Sequence, residues 1–137
     1  MKAAWVVLIA AMASAQSPAT MKQLMLDLIH PASNDILFFV NRGAPKTDAE
    51  WATVRRSALT LQESGDLLAM RSVPGDWAKD AKLLADAGAA AYRAAQAKDF
   101  NALAAVTDSL DASCTTCHKQ YRPNVFPQRE RGQGGSK

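Results

Sequence analysis

Two cysteines and a histidine form the segment of this sequence with the most specific chemistry. The residues read Cys114-Thr115-Thr116-Cys117-His118, which is the spacing at which c-type haem is attached to proteins. The two thiols would add to the two vinyl groups of one porphyrin, and the imidazole would bind its iron. Residues three and four apart share one face of a helix. The spacing therefore predicts one covalently bound haem c, held by Cys114 and Cys117, with His118 as an axial ligand.

Other uses of paired cysteines fit the sequence less well. A redox-active dithiol of the thioredoxin type follows a strand and opens a helix, whereas Cys114 lies near the end of a long helical pattern. A disulfide between cysteines three apart would close too short a loop to stabilise much of the chain. A structural zinc site takes four ligands, and this sequence has two Cys and two His, of which Cys117 and His118 are adjacent.

The N-terminal residues resemble a secretory signal peptide. Lys2 supplies the positive start, an apolar run occupies residues 3–11, and Ala13-Ser14-Ala15 matches a small-x-small cleavage site. The apolar run is short for a membrane span, and a retained anchor is the alternative. We expect cleavage after Ala15, export to the periplasm and no membrane association of the mature form. Export agrees with the cysteine motif, because c-type haem is attached outside the cytoplasm.

The remaining chain predicts a single domain over residues 16–128, followed by a flexible basic tail over residues 129–137. The formal net charge of +3 gives no indication of nucleic-acid binding. Cations predominate after the motif, where Glu130 is the lone acid among Lys119, Arg122, Arg129, Arg131 and Lys137. These cations either keep the tail solvated or form a basic rim that attracts an acidic redox partner.

Four helical patterns separated by turn residues predict an all-α fold. The first three span about residues 20–40, 47–70 and 76–98. The fourth runs from about residue 99 to the prolines at 123 and 127. Thr47 and Glu50 form a capping box at the start of the second helix, and Asp99 can cap the fourth. Because the links are short, we expect an antiparallel up-down four-helix bundle.

The apolar residues of the first and last helices predict which faces turn inward. Pro31 lies inside the first pattern, where the missing backbone donor predicts a kink. The first helix is expected to bury Leu24, Met25, Leu28, Ile29, Ala32, Ile36, Phe39 and Val40. The last helix is expected to turn Leu103, Val106, Leu110, Cys114 and Cys117 inward. The attachment cysteines are thus predicted on the core face of the last helix.

A haem motif on the last helix of an exported four-helix chain resembles the class II c-type cytochromes, the cytochrome c′ family. The match is tightest over residues 117–122, Cys-His-Lys-Gln-Tyr-Arg, where the family commonly shows Cys-His-x-x-Tyr-Arg. Cytochrome c′ is a four-helix bundle, so the resemblance implies this bundle with haem attached to the last helix. Homodimers are common in the family, and the resemblance extends that option to this chain.

In this family a residue of the first helix meets the other side of the haem. A methionine there gives a six-coordinate, low-spin electron carrier, whereas a residue that is not a ligand leaves the iron open to small gases. The resemblance puts Met25 in the ligand position and Met21 where the family often has an arginine, which is a departure. Haem iron accepts Met sulfur or His nitrogen, so Met21 and His30 are alternatives to Met25, as is the absence of a protein ligand.

The sequence thus predicts an electron carrier that exchanges electrons with redox partner proteins. No set of nucleophile, base and orienting group indicates an enzyme. Arg122 is a candidate partner for a haem propionate, or else a surface cation. Tyr121 would pack against the ring or within the core.

Two other functions remain open at this point. The first is a cytochrome c′ that binds nitric oxide or carbon monoxide in an apolar pocket of Leu24, Leu28 and Ile29. The second is a helical bundle without a cofactor, in which the cysteine motif is accidental.

Overall fold

The chain folds into helices with no strand among the residues described. The computed structural model describes residues 19–124, so the predicted signal peptide, the basic tail and Pro127 lie outside them. The first helix, α1, runs without a break through Met21–Gln23, Leu24–Ile29 and His30–Arg42, and it is followed by α2 (Asp48–Ala69), α3 (Trp77–Ala97) and α4 (Phe100–Tyr121). Within this part of the chain, no helix is long and apolar enough to cross a membrane. The predicted all-α class is confirmed.

The four helices pack as a bundle in which neighbours along the chain run in opposite directions. Lys98, just after α3, donates from Nζ to the Asp48 carboxylate at the start of α2 over 2.7 Å. The Tyr121 hydroxyl at the end of α4 donates to the carbonyl oxygen of Pro74, just before α3, over 3.0 Å. Contacts of this kind join the end of one helix to the start of its predecessor, which an antiparallel arrangement requires.

Local signals set where the helices begin and end. The Thr47 hydroxyl accepts from the backbone N–H of Glu50 while the Glu50 side chain accepts from the Thr47 N–H, so the predicted capping box is present. Asp99 accepts from the N–H of Ala102 over 3.0 Å at the start of α4, also as predicted. At the end of α1, Gly43 takes the left-handed conformation (φ 92°) that ends many helices.

The closest approach in the bundle is between α2 and α3. A Cβ added at Gly65 would lie 2.5 Å from the backbone nitrogen of Ala85, and one added at Gly88 would lie 2.4 Å from that of Gln62. A side chain at either position would collide with the facing backbone. Glycine at these two positions therefore allows the two helices to touch, and we call this contact the glycine seam.

The start of α1 departs from α-helical geometry ahead of its proline. Leu24–Ile29 is a π-helical segment, in which the N–H of His30 donates to the carbonyl oxygen of Met25, five residues earlier. Pro31 follows at once and has no N–H to donate. Segments of this kind are rare, occur mostly as single turns within α-helices, and are frequently found at functional sites.

The π-helical segment changes which residues of α1 face the core. Leu24 and Ile29 are buried, at 3% and 5% exposed, whereas Leu28 is 39% exposed. The expectation that Leu28 turns inward was therefore wrong. An apolar pattern interpreted at 3.6 residues per turn does not account for the extra residue that the π segment contains.

Candidate functional site

A pocket near one end of the bundle brings together the residues that the cysteine motif singled out. It encloses about 360 Å³ and is formed by all four helices. Its lining consists of Met25, Ile29, Leu68, Asp80, Ala81, Leu84, Ser113, Cys114, Cys117 and His118. We call it the end pocket. Both cysteines and His118 on α4 thus share one cavity with Met25 on α1.

A more open groove leads from the end pocket to the surface. It holds about 610 Å³ of empty space and shares Met25, Cys117 and His118 with the end pocket. Its remaining lining consists of Met21, Val73, Trp77, Tyr121 and Arg122. We call it the open groove. Apart from the alternative ligand His30, the predicted site residues each line one of these two spaces, namely Met21, Met25, Cys114, Cys117, His118, Tyr121 and Arg122.

The two thiols are half-buried on the wall of the end pocket. They lie beyond the fully buried Leu103, Val106 and Leu110 of α4, and both cysteines are free. Burial raises the pKa of the Cys114 thiol. Burial, with the negative charge of Asp80 next in size, raises the pKa of the Cys117 thiol to about 11. Both thiols are therefore protonated at neutral pH.

This electrostatic setting is the opposite of that in a redox-active dithiol. Reactive cysteines have a lowered pKa and commonly lie at a helix N-terminus. Cys114 and Cys117 lie in the last turns of α4, where the helix dipole also disfavours a thiolate. Among residues 19–124, no group of three or more His, Cys, Asp or Glu could hold a metal ion. The structure therefore gives no support to the dithiol and zinc alternatives.

His118 is presented to the pocket as a neutral imidazole. Burial first, and the neighbouring Arg122 charge second, lower the pKa of its ring. A neutral imidazole is the form that binds a metal. His118 is thus suited to axial ligation at neutral pH.

The end of α4 is fixed against α3 by aromatic contacts. The rings of Tyr121 and Trp77 meet edge to face, with centroids 4.9 Å apart and planes at 85°. Trp77 donates from its indole N–H to the carbonyl oxygen of Leu68 over 2.6 Å. Together with the hydroxyl bond from Tyr121 to Pro74, these contacts hold the His118 turn in place. Tyr121 therefore packs against Trp77 of α3.

The three candidates for a second axial ligand occupy different places. Met25 is half-buried and lines both the end pocket and the open groove. Met21, one turn earlier, lines the open groove. The His30 ring is exposed and lies 3.3 Å from the side-chain nitrogen of Asn34 on the same helix. Of the three, Met25 is thus the one that shares the end pocket with His118.

Asp80 is a residue of the end pocket that the sequence interpretation missed. It lies on α3, only 4% exposed, and its Oδ2 has no hydrogen-bond partner among the described residues. One signal could have found it: Asp80 follows Trp77 by three residues and precedes Leu84 by four, so it falls on the apolar stripe of α3.

No protein-family model, curated protein or solved structure matches this chain at a significant level. The resemblance to the class II cytochromes therefore rests on the cysteine motif, the residues after it and the helical layout.

Proposed function

We propose that this chain is an exported class II c-type cytochrome that carries electrons between redox partner proteins. Haem c would be attached through Cys114 and Cys117, with His118 and Met25 as its axial ligands. One observation carries the proposal: Met25 from the first helix lines the same pocket as the complete attachment motif of the last helix. This pairing across the bundle is independent of the spacing from which the motif was recognised.

The residues of the pocket fit a haem in chemistry as well as in position. Ile29, Leu68 and Leu84 make its lining mainly apolar, which suits a flat porphyrin and excludes water. Each cysteine would add across one vinyl group, its sulfur forming the thioether bond and its thiol hydrogen passing to the other vinyl carbon. When bound, haem c supplies a one-electron iron couple whose potential the protein sets through ligands and burial.

The outer residues of the open groove fit the acidic edge of a haem. Arg122 is exposed on the rim of the groove, within electrostatic reach of His118. A guanidinium there would pair with a haem propionate. Lys119 is also exposed one turn earlier on α4. The two cations would attract an acidic redox partner to the exposed edge of the haem, where electron transfer would take place.

The test of the ligand assignment is the visible absorption spectrum of the holoprotein, oxidised and reduced. We expect a low-spin spectrum with a weak near-red band from sulfur-to-iron charge transfer. Met25→Ala should abolish that band and give a high-spin spectrum. Met21→Ala is the matched control, because Met21 lines the open groove and not the end pocket, and it should leave the spectrum low-spin. An unchanged spectrum in Met25→Ala would refute the assignment.

Covalent haem itself is tested by expressing the full chain with the haem-attachment machinery. Haem that stays with the protein after denaturation supports attachment, and its loss in a Cys114→Ser, Cys117→Ser double variant assigns it to these thiols. Wild-type protein without covalent haem would overturn the proposed function and favour a bundle without a cofactor.

A gas-binding cytochrome is the second candidate, and the apolar lining of the end pocket favours it. If Met25 does not bind the iron, Ile29, Leu68 and Leu84 would leave an apolar space on that side. Leu24 and Leu28, which the sequence placed in this pocket with Ile29, are not part of its lining. Carbon monoxide added to the reduced wild-type protein discriminates the two functions. A spectrum that shifts readily supports gas binding, and one that does not shift supports the electron carrier.

A further inference from the structure

We infer that Asp80 is a buried counter-charge that lowers the reduction potential of the haem in the end pocket. The inference rests on the proposed function and extends it, because it identifies a residue that sets the potential in addition to the axial ligands.

The first observation is that one carboxylate oxygen of Asp80, Oδ2, has no hydrogen-bond partner among the described residues. The Asp80 side chain is 96% buried, since only 4% is exposed. The residues that line the end pocket include no Lys or Arg. Ser113, across the pocket, donates its hydroxyl to the carbonyl oxygen of Leu110 over 2.7 Å.

A buried carboxylate in this state is costly unless a positive charge or donor is nearby. No Lys or Arg lines the pocket and Oδ2 has no hydrogen-bond partner among the described residues, so we assign the missing counter-charge to the group that fills the pocket. A ferric haem carries one more positive charge than a ferrous haem. A haem in the pocket would therefore supply in its oxidised form the counter-charge that Asp80 lacks.

The second observation is that Asp80 lines the same pocket as both attachment cysteines and the proposed axial ligand His118. A charge at Asp80 would therefore lie beside any haem that is held by this wall of the pocket.

The expected size follows from Coulomb's law. A unit charge about 10 Å from the iron, at an effective dielectric constant of about 20, changes a one-electron equilibrium roughly tenfold. A tenfold change corresponds to about 59 mV for a one-electron couple. Because the charge favours the ferric form, removing it should raise the reduction potential.

The test is a spectroelectrochemical titration of the holoprotein with Asp80→Asn, which removes the charge at nearly constant volume. We expect the potential to rise by about 59 mV, with a low-spin spectrum before and after. Asp111→Asn is the matched control, because Asp111 is an exposed acid one turn before Cys114. Its charge is screened by solvent, so its removal should move the potential much less.

Two further variants keep the outcome decisive. Asp80→Glu retains the charge and should retain the low potential. Asp80→Ala removes both charge and polar group, and it replaces Asp80→Asn if that variant does not fold. The inference would be overturned if Asp80→Asn or Asp80→Ala bound haem but changed the reduction potential no more than Asp111→Asn does. That result would leave the proposed function intact. Absence of covalent haem from the wild-type chain would instead overturn the proposed function.

Discussion

Replacing Gly88 by alanine tests the glycine seam between α2 and α3. The new Cβ would lie 2.4 Å from the backbone nitrogen of Gln62 and 2.9 Å from the carbonyl oxygen of Ala58, whereas ordinary contact begins at 3.4 Å. The helices must therefore separate by about 1 Å, because the atoms in the way are backbone and cannot rotate aside. Overpacking at this severity costs about 3 kcal/mol. Alanine regains about 1 kcal/mol of helix propensity over glycine.

The net expectation for Gly88→Ala is a loss of about 2 kcal/mol in the free energy of unfolding. For a domain of this size, that lowers the melting temperature by roughly 10 °C. Urea denaturation followed by far-ultraviolet circular dichroism measures it. Gly65→Ala should behave alike, since its Cβ would lie 2.5 Å from the backbone of Ala85. Ala78→Gly, at an exposed position of α3, reports helix propensity alone. Equal or greater stability of Gly88→Ala would refute the close contact.

Two further predictions concern the start of α2. Thr47→Ala removes the hydroxyl that accepts from the Glu50 N–H, so it should lower the free energy of unfolding by about 1 kcal/mol. A Thr47→Ser control keeps a hydroxyl and should retain most of the wild-type stability. No loss of stability in Thr47→Ala would mean that the cap contributes nothing. The hydrogen bond from Arg42, and then that from the Lys46 N–H, lower the pKa of Glu50 below its ordinary value of 4.5. The unfolded chain then binds more protons, so this contribution is present above pH 4.5 and is lost as the pH falls through the folded-state pKa. Urea denaturation of wild type and Glu50→Gln between pH 7 and pH 3 measures it, and a variant with the same pH dependence as wild type would contradict the assignment to Glu50.

The parts of the fold that the sequence predicts correctly depend on local chemistry. A threonine followed three residues later by a glutamate begins α2 because two side chains satisfy two backbone N–H groups. Asp99 begins α4 because its own side chain accepts from the backbone N–H of Ala102. Neither cap needs information from elsewhere in the chain, so both were found at the right residue.

Leu28 shows where that approach fails. Its position was expected from a repeat of 3.6 residues, but a π-helical segment ahead of Pro31 adds a residue to the turn. The local helix geometry near a proline depends on which residues of other helices pack against it. That packing is set by α2 and α4, which the sequence pattern of α1 does not contain.

The residues of the candidate site also differ in whether the sequence predicts them. Cys114, Cys117 and His118 follow from the spacing of one motif, and Met25 was placed opposite them by resemblance. Asp80 was missed because an acid within an apolar stripe is normally solvated at the helix edge. Its burial depends on how the other three helices pack around this position, which the sequence of α3 alone does not contain.

The end pocket draws its opposing walls from the first and the last helix. During synthesis, α2 and α3 can pair across their short link as soon as both exist, since closing a short loop costs little chain entropy. Met25 and His118 can meet only after nearly the whole described chain has formed. The pocket is thus the last part of the bundle to assemble, and a group bound to both walls would link the first helix to the last.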